Sequence, residues 1–345
     1  MFEWTLPLGA EATLFAFEAL VIGAAGTKLA NLADRLADRS GLGEAITGVV
    51  FLGFITALPG LVASVVAALD GHPALAISNA MGGIAVQTVA LPIADLAYRK
   101  ANLEHAAASA ANLMQATVLV LLVTLPLTGI AGPDVTIGHV HPTTLLLFGA
   151  AASAFWLVLR TQEEPMWRPR PTDETVEDVP DPEYQTQSLP KLITGVLLLA
   201  VVTATSGAAV AESAENLVAM TGFAEVVIGG LFMGVATSLP ELVTSMAAVR
   251  EGALTLAVSD IVGGNFFDVL FVAAADLAFL PGSIYHGSGV GDREIFLIAL
   301  TILLNVTFLG GLLYRQKTGP AKIGIEGVTM ILTYGLGFLV LSLAM

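Results

Sequence analysis

Ten stretches of this chain are long and apolar enough to cross a bilayer, and that constrains its fold more than any other feature. A helix needs about 20 apolar residues to span the hydrocarbon core. No backbone N–H or C=O can stay unpaired there, so such a chain folds as a bundle of helices. The stretches run Ala12–Ala30, Glu44–Leu69, Pro73–Ala97, Ala108–Ile130 and Thr143–Leu159, then Ile193–Val210, Glu225–Val249, Leu254–Leu280, Glu294–Leu313 and Ile323–Met345. Hydrophobic residues make up 55% of the 345 and charged residues 12%, against about 25% charged in soluble domains. A water-facing surface cannot be clothed from that composition, and the spans leave no length for a large soluble domain. The expected class is an all-α polytopic membrane protein in the lipid bilayer, a monomer or weak homo-oligomer.

Several functions fall away at once. Cysteine is absent, which excludes disulfides, thiolate metal sites and cysteine nucleophiles. The net charge of −15 argues against nucleic acid as a partner. No nucleophile–base pair or zinc motif stands out inside the spans, so the chain does not read as an enzyme, and no prosthetic group is implied. Met1 to Glu11 carries no basic run, so the first apolar stretch reads as a retained span.

Lysine and arginine set the orientation. Lys28, Arg35 and Arg39 follow the first span, Arg99 and Lys100 the third, Arg160, Arg168, Arg170 and Lys191 the fifth, Arg250 the seventh, and Arg315, Lys317 and Lys322 the ninth. The opposite loops hold only Arg293. The expectation is a multi-pass protein of the cell (inner) membrane, with basic loops cytoplasmic and both termini outside. Residues 161–191 carry Glu163, Glu164, Asp173, Glu174, Glu177, Asp178, Asp181, Glu183 and several prolines, and read as an extended cytoplasmic acidic linker.

The linker divides two copies of one unit. Thr56-Ala57-Leu58-Pro59-Gly60-Leu61 resembles Thr237-Ser238-Leu239-Pro240-Glu241-Leu242, at an offset of 237 − 56 = 181. The same offset pairs Gly41 with Gly222, Glu44 with Glu225, Gly53 with Gly234, Ser64 with Ser245, Gly71 with Gly252 and Ser78 with Ser259. It continues through Gly82-Gly83 with Gly263-Gly264 and Asp95-Leu96-Ala97 with Asp276-Leu277-Ala278. Chance likeness of apolar stretches supplies Leu, Val and Ala matches, not Pro, Thr, Ser, Glu and Asp in fixed register. The halves are 1–160 and 192–345, with the repeated cores near 44–97 and 225–278. Five spans is an odd number, so the second copy enters from the other side. Ten helices in two inverted five-helix repeats is the architecture of alternating-access transporters, with the site at the repeat interface near the midplane.

That interface holds the chemistry. Proline inside a span removes a backbone hydrogen bond and opens the preceding turn, which frees carbonyls near Ala236 and Thr237. Glu241 follows at once, and a carboxylate at that depth is costly unless it meets a cation, a proton or a partner. The next span carries Asp268 one turn after Gly264. Paired glycines such as Gly263-Gly264 ordinarily serve close helix packing. Glu241, Asp268, the hydroxyls of Thr237 and Ser238 and freed carbonyls are all hard oxygen donors, a set that suits Ca²⁺, Na⁺ or Mg²⁺ rather than zinc or copper.

These stretches resemble the alpha repeats of the calcium/cation antiporter superfamily, the sodium/calcium exchangers and their relatives. The family pattern is a Thr-Ser-x-Pro-Glu span followed by a Gly-Ser-Asn-x-x-Asn/Asp span in each half. The resemblance places the family's acidic ligand on Glu241, its second acid or amide on Asp268, and its hydroxyl and carbonyl ligands on Thr237 and Ser238. The first half keeps Thr56 and Pro59 but has Ala57 for serine and Gly60 for glutamate. In its second motif Gly83 and Ile84 replace serine and asparagine, and Gln87 replaces the final amide or acid. It offers Thr56, carbonyls and the Gln87 amide, without charge. The resemblance implies antiport of Ca²⁺ or another divalent cation against Na⁺ or H⁺, with fewer ion sites than usual. The alternative is a non-transporting or ion-sensing descendant of the same fold.

Other polar residues have plainer expectations. Glu18, opposite Leu199, is expected to be hydrated near the outer end, with the missing glutamate's role as the alternative. Glu212 and Glu215 read as a solvated helix end. Asp95 and Asp276 are expected near the membrane surfaces as caps or pairs, and Asp260, matched to Asn79, at the cytoplasmic entrance. His72, His105, His139, His141 and His286 fall in loops as solvated side chains, with metal ligation by His139 and His141 the alternative.

Overall fold

The computed structural model describes residues 6–40, 53–96, 101–163, 167–170, 172, 188–319 and 323–343. The long helices are α1 (Leu8–Ser40), α2 (Leu58–Leu69), α3 (Pro73–Asp95), α4 (Ala110–Ala131) and α5 (Pro142–Glu163). They continue as α6 (Leu189–Thr221), α7 (Leu239–Glu251), α8 (Leu254–Ala278), α9 (Asp292–Tyr314) and α10 (Ile325–Leu343). Among the described residues eight are long and apolar enough to cross a membrane. Glu225–Thr237 with α7, bent by 53°, passes as a ninth, and α2 is a shorter apolar helix. The only pairing of strand type among the described residues is one bridge, Ile137 to Val140.

Burial sorts the helices by what they face. In its most apolar stretch α3 is 89% buried and α8 78%, against 22% in α6 and 28% in α1. A helix apolar all round belongs inside, and α3 and α8 lie together at the centre. The outer helices keep large apolar residues exposed, including Phe17 and Leu20 on α1, Leu197 and Leu198 on α6, and Leu332 and Leu336 on α10. That surface suits lipid, not water.

Polar sequence extends two spans beyond their apolar cores. α1 runs on through Lys28, Asp34 and Arg35 to Ser40 rather than ending near Ala30, because the Ala, Leu and Arg residues of that stretch are good helix formers. α6 continues past Val210 to Thr221, where Gly222 at φ 70° caps it. Glu44, Arg99, Lys100, Lys322 and most of the acidic linker lie outside the described residues.

Contacts between the halves exchange in pairs. Gly26 on α1 faces Pro240 so closely that a Cβ there would overlap the ring. Gly207 on α6, at the matching offset, meets the backbone of Pro59 in the same way. α1 therefore packs on the break before α7, and α6 on the break before α2. Gly71 at φ 89° and Gly252 at φ 87° end α2 and α7 in the left-handed region that favours glycine.

Asp95 and Asp276 form a third pair. Each accepts from the backbone N–H eight residues on, Leu103 at 2.9 Å and Ile284 at 2.8 Å. They cap as expected, fully buried.

Candidate functional site

Two breaks bring the site together. Pro59 and Pro240 sit in the first turns of α2 and α7, where a missing N–H is tolerated. Before the second break the chain winds as a π-helix over Ile228–Met233, a form frequent at functional sites. This wide turn was not expected from the sequence. It lies against α3, where a Cβ on Gly82 would strike the backbone of Gly230. Small residues thus allow the broken segment to press directly on α3.

The side chains meet in a small cavity lined by Ala57, Gly60, Asn79, Gly83, Gln87, Thr237, Ser238, Glu241, Asp268 and Phe271. Five of the six residues expected from the sequence line it: Glu241, Asp268, Thr237, Ser238 and Gln87. The sixth, Thr56, stands behind Glu241 and hydrogen-bonds its carboxylate. Glu241 is 3% exposed and Asp268 4%. Gln87 donates from Nε2 to Asp268 Oδ2 at 2.7 Å and to Ser238 Oγ at 3.0 Å. The first half's amide therefore steadies the second half's acid. Glu241 Oε2 and Gln87 Oε1 are buried without a partner, and both are oxygen acceptors at the cavity. Unmade acceptors at this depth cost about 1–3 kcal/mol each, which a cation or proton would relieve.

Two site residues escaped the sequence reading. Asn79 donates from Nδ2 to Gly60 O at 3.1 Å and Ser64 Oγ at 2.9 Å, and its Oδ1 accepts from Thr237 Oγ1 at 3.1 Å. It ties the two breaks together. Its match to Asp260 was the available signal, since both are polar at equal depth in repeated spans. Phe271 is the other. Its ring carbon lies 2.5 Å from where a Gly60 Cβ would be. The ring fills the space that a glutamate at position 60 would need, so the loss of that acid and the presence of this ring are one structural fact.

Other expectations are corrected. Glu18 is 9% exposed and bonded to Ser213, not hydrated. His141 is 4% exposed rather than solvated, and its ring lies 5.1 Å from that of Tyr285. His139 and His141 do not form a metal pair, because each Nε2 meets a different backbone carbonyl, Leu277 at 3.1 Å and Pro133 at 3.3 Å. Asp260 is held by the hydroxyls of Thr244 and Ser245, both at 3.1 Å. Glu212 is exposed as expected, whereas Glu215 is half-buried with Oε1 unpartnered. Among the described residues no three acidic or histidine side chains already form a metal cluster. The cavity offers two acids with neutral oxygens.

Comparison with known proteins fits this geometry. A sequence model of the family described as "Sodium/calcium exchanger protein" matches residues 11–159 and 191–343. The inner membrane protein YrbG of Escherichia coli (strain K12) is 27% identical over 322 residues, covering 92% of this chain and 91% of its own. The fold is that of an H⁺/Ca²⁺ exchanger CAX crystal structure, with TM-score 0.69, 14% identity, and coverage of 99% of this chain and 86% of that one. The sodium-calcium exchanger NCX_Mj gives TM-score 0.60 and 14% identity, covering 96% of this chain and 99% of that one.

Proposed function

We propose that this chain, which belongs to the sodium/calcium exchanger protein family, is a secondary antiporter exchanging Ca²⁺ or another divalent cation for Na⁺ or H⁺ by alternating access. The observation that carries the reading is the convergence of Glu241 and Asp268 on one buried cavity lined also by Thr237, Ser238, Asn79 and Gln87, which bring hydroxyl and amide groups. Hard oxygen donors in that number suit an alkaline-earth or alkali cation. Buried charge must be balanced, so two carboxylates hold one divalent cation, two Na⁺ or two protons in turn. Exchange is then electroneutral.

The scaffold we propose has ten spans in two inverted five-helix halves, 1–160 and 192–345, with 161–191 joining them. The paired contacts of Gly26 with Pro240 and Gly207 with Pro59 support it. The basic loops face the cytoplasm and the termini lie outside, on the strength of the lysine and arginine asymmetry. With Phe271 where a second glutamate would stand, the chain carries fewer ion sites than the family pattern provides.

The same ring favours the second reading, a non-transporting or ion-sensing descendant. Radiolabelled Ca²⁺ flux into proteoliposomes separates the two. Under an imposed Na⁺ or H⁺ gradient the wild type accumulates Ca²⁺, and Glu241→Gln falls to background. Absence of gradient-driven flux for every divalent cation tried would establish the second reading, and normal flux in Glu241→Gln would place the site elsewhere.

A further inference from the structure

The repeat places two three-residue clusters at opposite ends of the bundle. At one end Asp276 accepts from Ile284 N–H at 2.8 Å, from His141 N–H at 2.9 Å and from the Thr144 hydroxyl at 2.6 Å. Thr144 Oγ1 in turn lies 3.3 Å from Tyr285 Oη. One carboxylate is surrounded by donors, and the cluster is closed.

At the other end, marked by Arg315 and Lys317, the equivalent positions carry different chemistry. The offset of 181 takes Asp276 to Asp95 and Tyr285 to Glu104. From span four onward the register slips by one, so that Gly129 answers to Gly311 and Thr144 to Glu326. The packing keeps the equivalence. A Cβ on Gly129 would lie 2.7 Å from the Tyr285 ring, and one on Gly311 would lie 2.5 Å from Glu326 Cγ and 3.2 Å from Glu104 Cγ. A threonine and a tyrosine at one end are two glutamates at the other.

Those acids lack the donors of their counterparts. Asp95 Oδ2, both carboxylate oxygens of Glu104 and Glu326 Oε1 are buried with no hydrogen-bond partner. Glu104 is 1% exposed, Asp95 0% and Glu326 8%. Arg315 does not neutralise them, since its guanidinium is spent on the backbone carbonyls of His105 and Arg170. Glu104 and Glu326 each sit in a first helical turn, where a carboxylate is ordinarily favourable. That explanation is insufficient here, because the other copy fills the same two places with neutral groups and needs no acid.

We infer that Asp95, Glu104 and Glu326 form a second binding site, separate from the transport cavity, for a hard divalent cation of the Ca²⁺ class. Four free oxygens on three acids are a donor set for such an ion. Among the described residues no three acids are drawn tightly enough to grip a metal as they stand. Ligation therefore requires Glu104 and Glu326 to turn about their own side-chain bonds. An ion there would clamp the start of α10 to the end of α3, as Thr144 clamps the start of α5 to the end of α8.

The test uses the full-length protein carrying Glu241→Gln and Asp268→Asn, which removes the transport site. Equilibrium dialysis with radiolabelled Ca²⁺ should find about one ion still bound per chain. That ion should be lost when Glu104→Tyr and Glu326→Thr are added, a pair that rebuilds the neutral cluster of the other half and so preserves folding. In the wild type Ca²⁺ should raise the melting temperature at pH 8, and the rebuilt variant should melt higher than wild type without Ca²⁺ and no longer respond to it through this site. No Ca²⁺ bound by the transport-site variant, or bound Ca²⁺ indifferent to the rebuilt cluster, would overturn the inference. So would stabilisation by acid alone with no effect of Ca²⁺, which would make the cluster a proton store. Failure of transport by the wild type leaves this readout intact, because it measures binding with the transport site removed.

Discussion

Position 60 carries the asymmetry of the candidate ion cavity. The scaffold treats residues 60 and 241 as equivalents, yet one is glycine and the other a buried glutamate. Phe271 explains why a simple reversal fails. Gly60→Glu drives its own Cβ into the ring, and overpacking of this kind costs about 1–3 kcal/mol. The single variant should melt lower and express poorly. Gly60→Glu with Phe271→Ala removes the clash and gains a third carboxylate at the cavity, so Ca²⁺ should raise its melting temperature by more than it raises the wild type's. Calorimetric titration with Ca²⁺ should then show tighter binding than in the wild type, by roughly tenfold or more for one added charge-assisted ligand. The residues that bear charge were legible in the sequence, because a carboxylate inside a span has few innocent explanations. Phe271 was not, because one more phenylalanine in an apolar span carries no pattern. Its meaning lies in the space it occupies across from Gly60, and that space exists only once α2 and α8 are packed.

Among elements, the caps at the ends of α3 and α8 look alike in sequence and differ in energetics. Asp276→Ala orphans the donors of Ile284, His141 and Thr144, at about 1–3 kcal/mol for each buried group left unmade. Asp95→Ala orphans only Leu103 N–H and removes one acid from a crowded cluster. Thermal unfolding should therefore show Asp276→Ala as much the more damaging of two substitutions at matched positions. A second element-level prediction concerns the turn between α2 and α3. Glu225 accepts from Leu75 N–H at 2.9 Å and contacts His72 Nδ1 at 2.7 Å, pinning the start of α3 to the broken segment. Burial opposes charge on His72, but the Glu225 contact outweighs it and raises the imidazole above its usual 6.5. A raised histidine stabilises fully below 6.5 and loses that contribution as pH climbs through the higher folded value. The wild type should lose melting temperature relative to His72→Ala across that window, and the two should differ by a constant amount below it. The breaks at Pro59 and Pro240 could be read from the sequence, since proline inside a span has a definite mechanical effect. The π-helix over Ile228–Met233 could not. Nothing in Ile-Gly-Gly-Leu-Phe-Met demands a wide turn until α3 lies against its glycines.

At the scale of the whole molecule, the two matched stretches of sequence differ in the charge they carry. The all-helical membrane fold was legible because apolar stretches of span length fill the chain, and the paired contacts of Gly26 and Gly207 because matched residues survive in register. The acid cluster at Asp95 was not, because Glu104 and Glu326 are far apart in sequence, and the one-residue slip after the repeated core hides the match of Glu326 to Thr144. What the fold leaves at the candidate cavity is two carboxylates, Glu241 and Asp268, against neutral residues of the first half. In the proposed exchange a divalent cation and two monovalent ones balance that pair equally, so both loaded forms would cross with the same charge and the cycle would move none. An exchanger that moves one net charge per cycle gains about 2.3 kcal/mol per 100 mV of membrane potential, which is roughly a 50-fold change in the Ca²⁺ ratio it can hold. The proposed exchanger gains nothing. In proteoliposomes with a fixed Na⁺ or H⁺ gradient, a potential of about −100 mV set by K⁺ and valinomycin should leave the final Ca²⁺ ratio where it stands at zero potential. A shift approaching 50-fold would mean a third monovalent ion in the cycle. It would then need a ligand outside the Glu241–Asp268 pair, and Glu18, buried against Ser213 on α6, is the acid to substitute first.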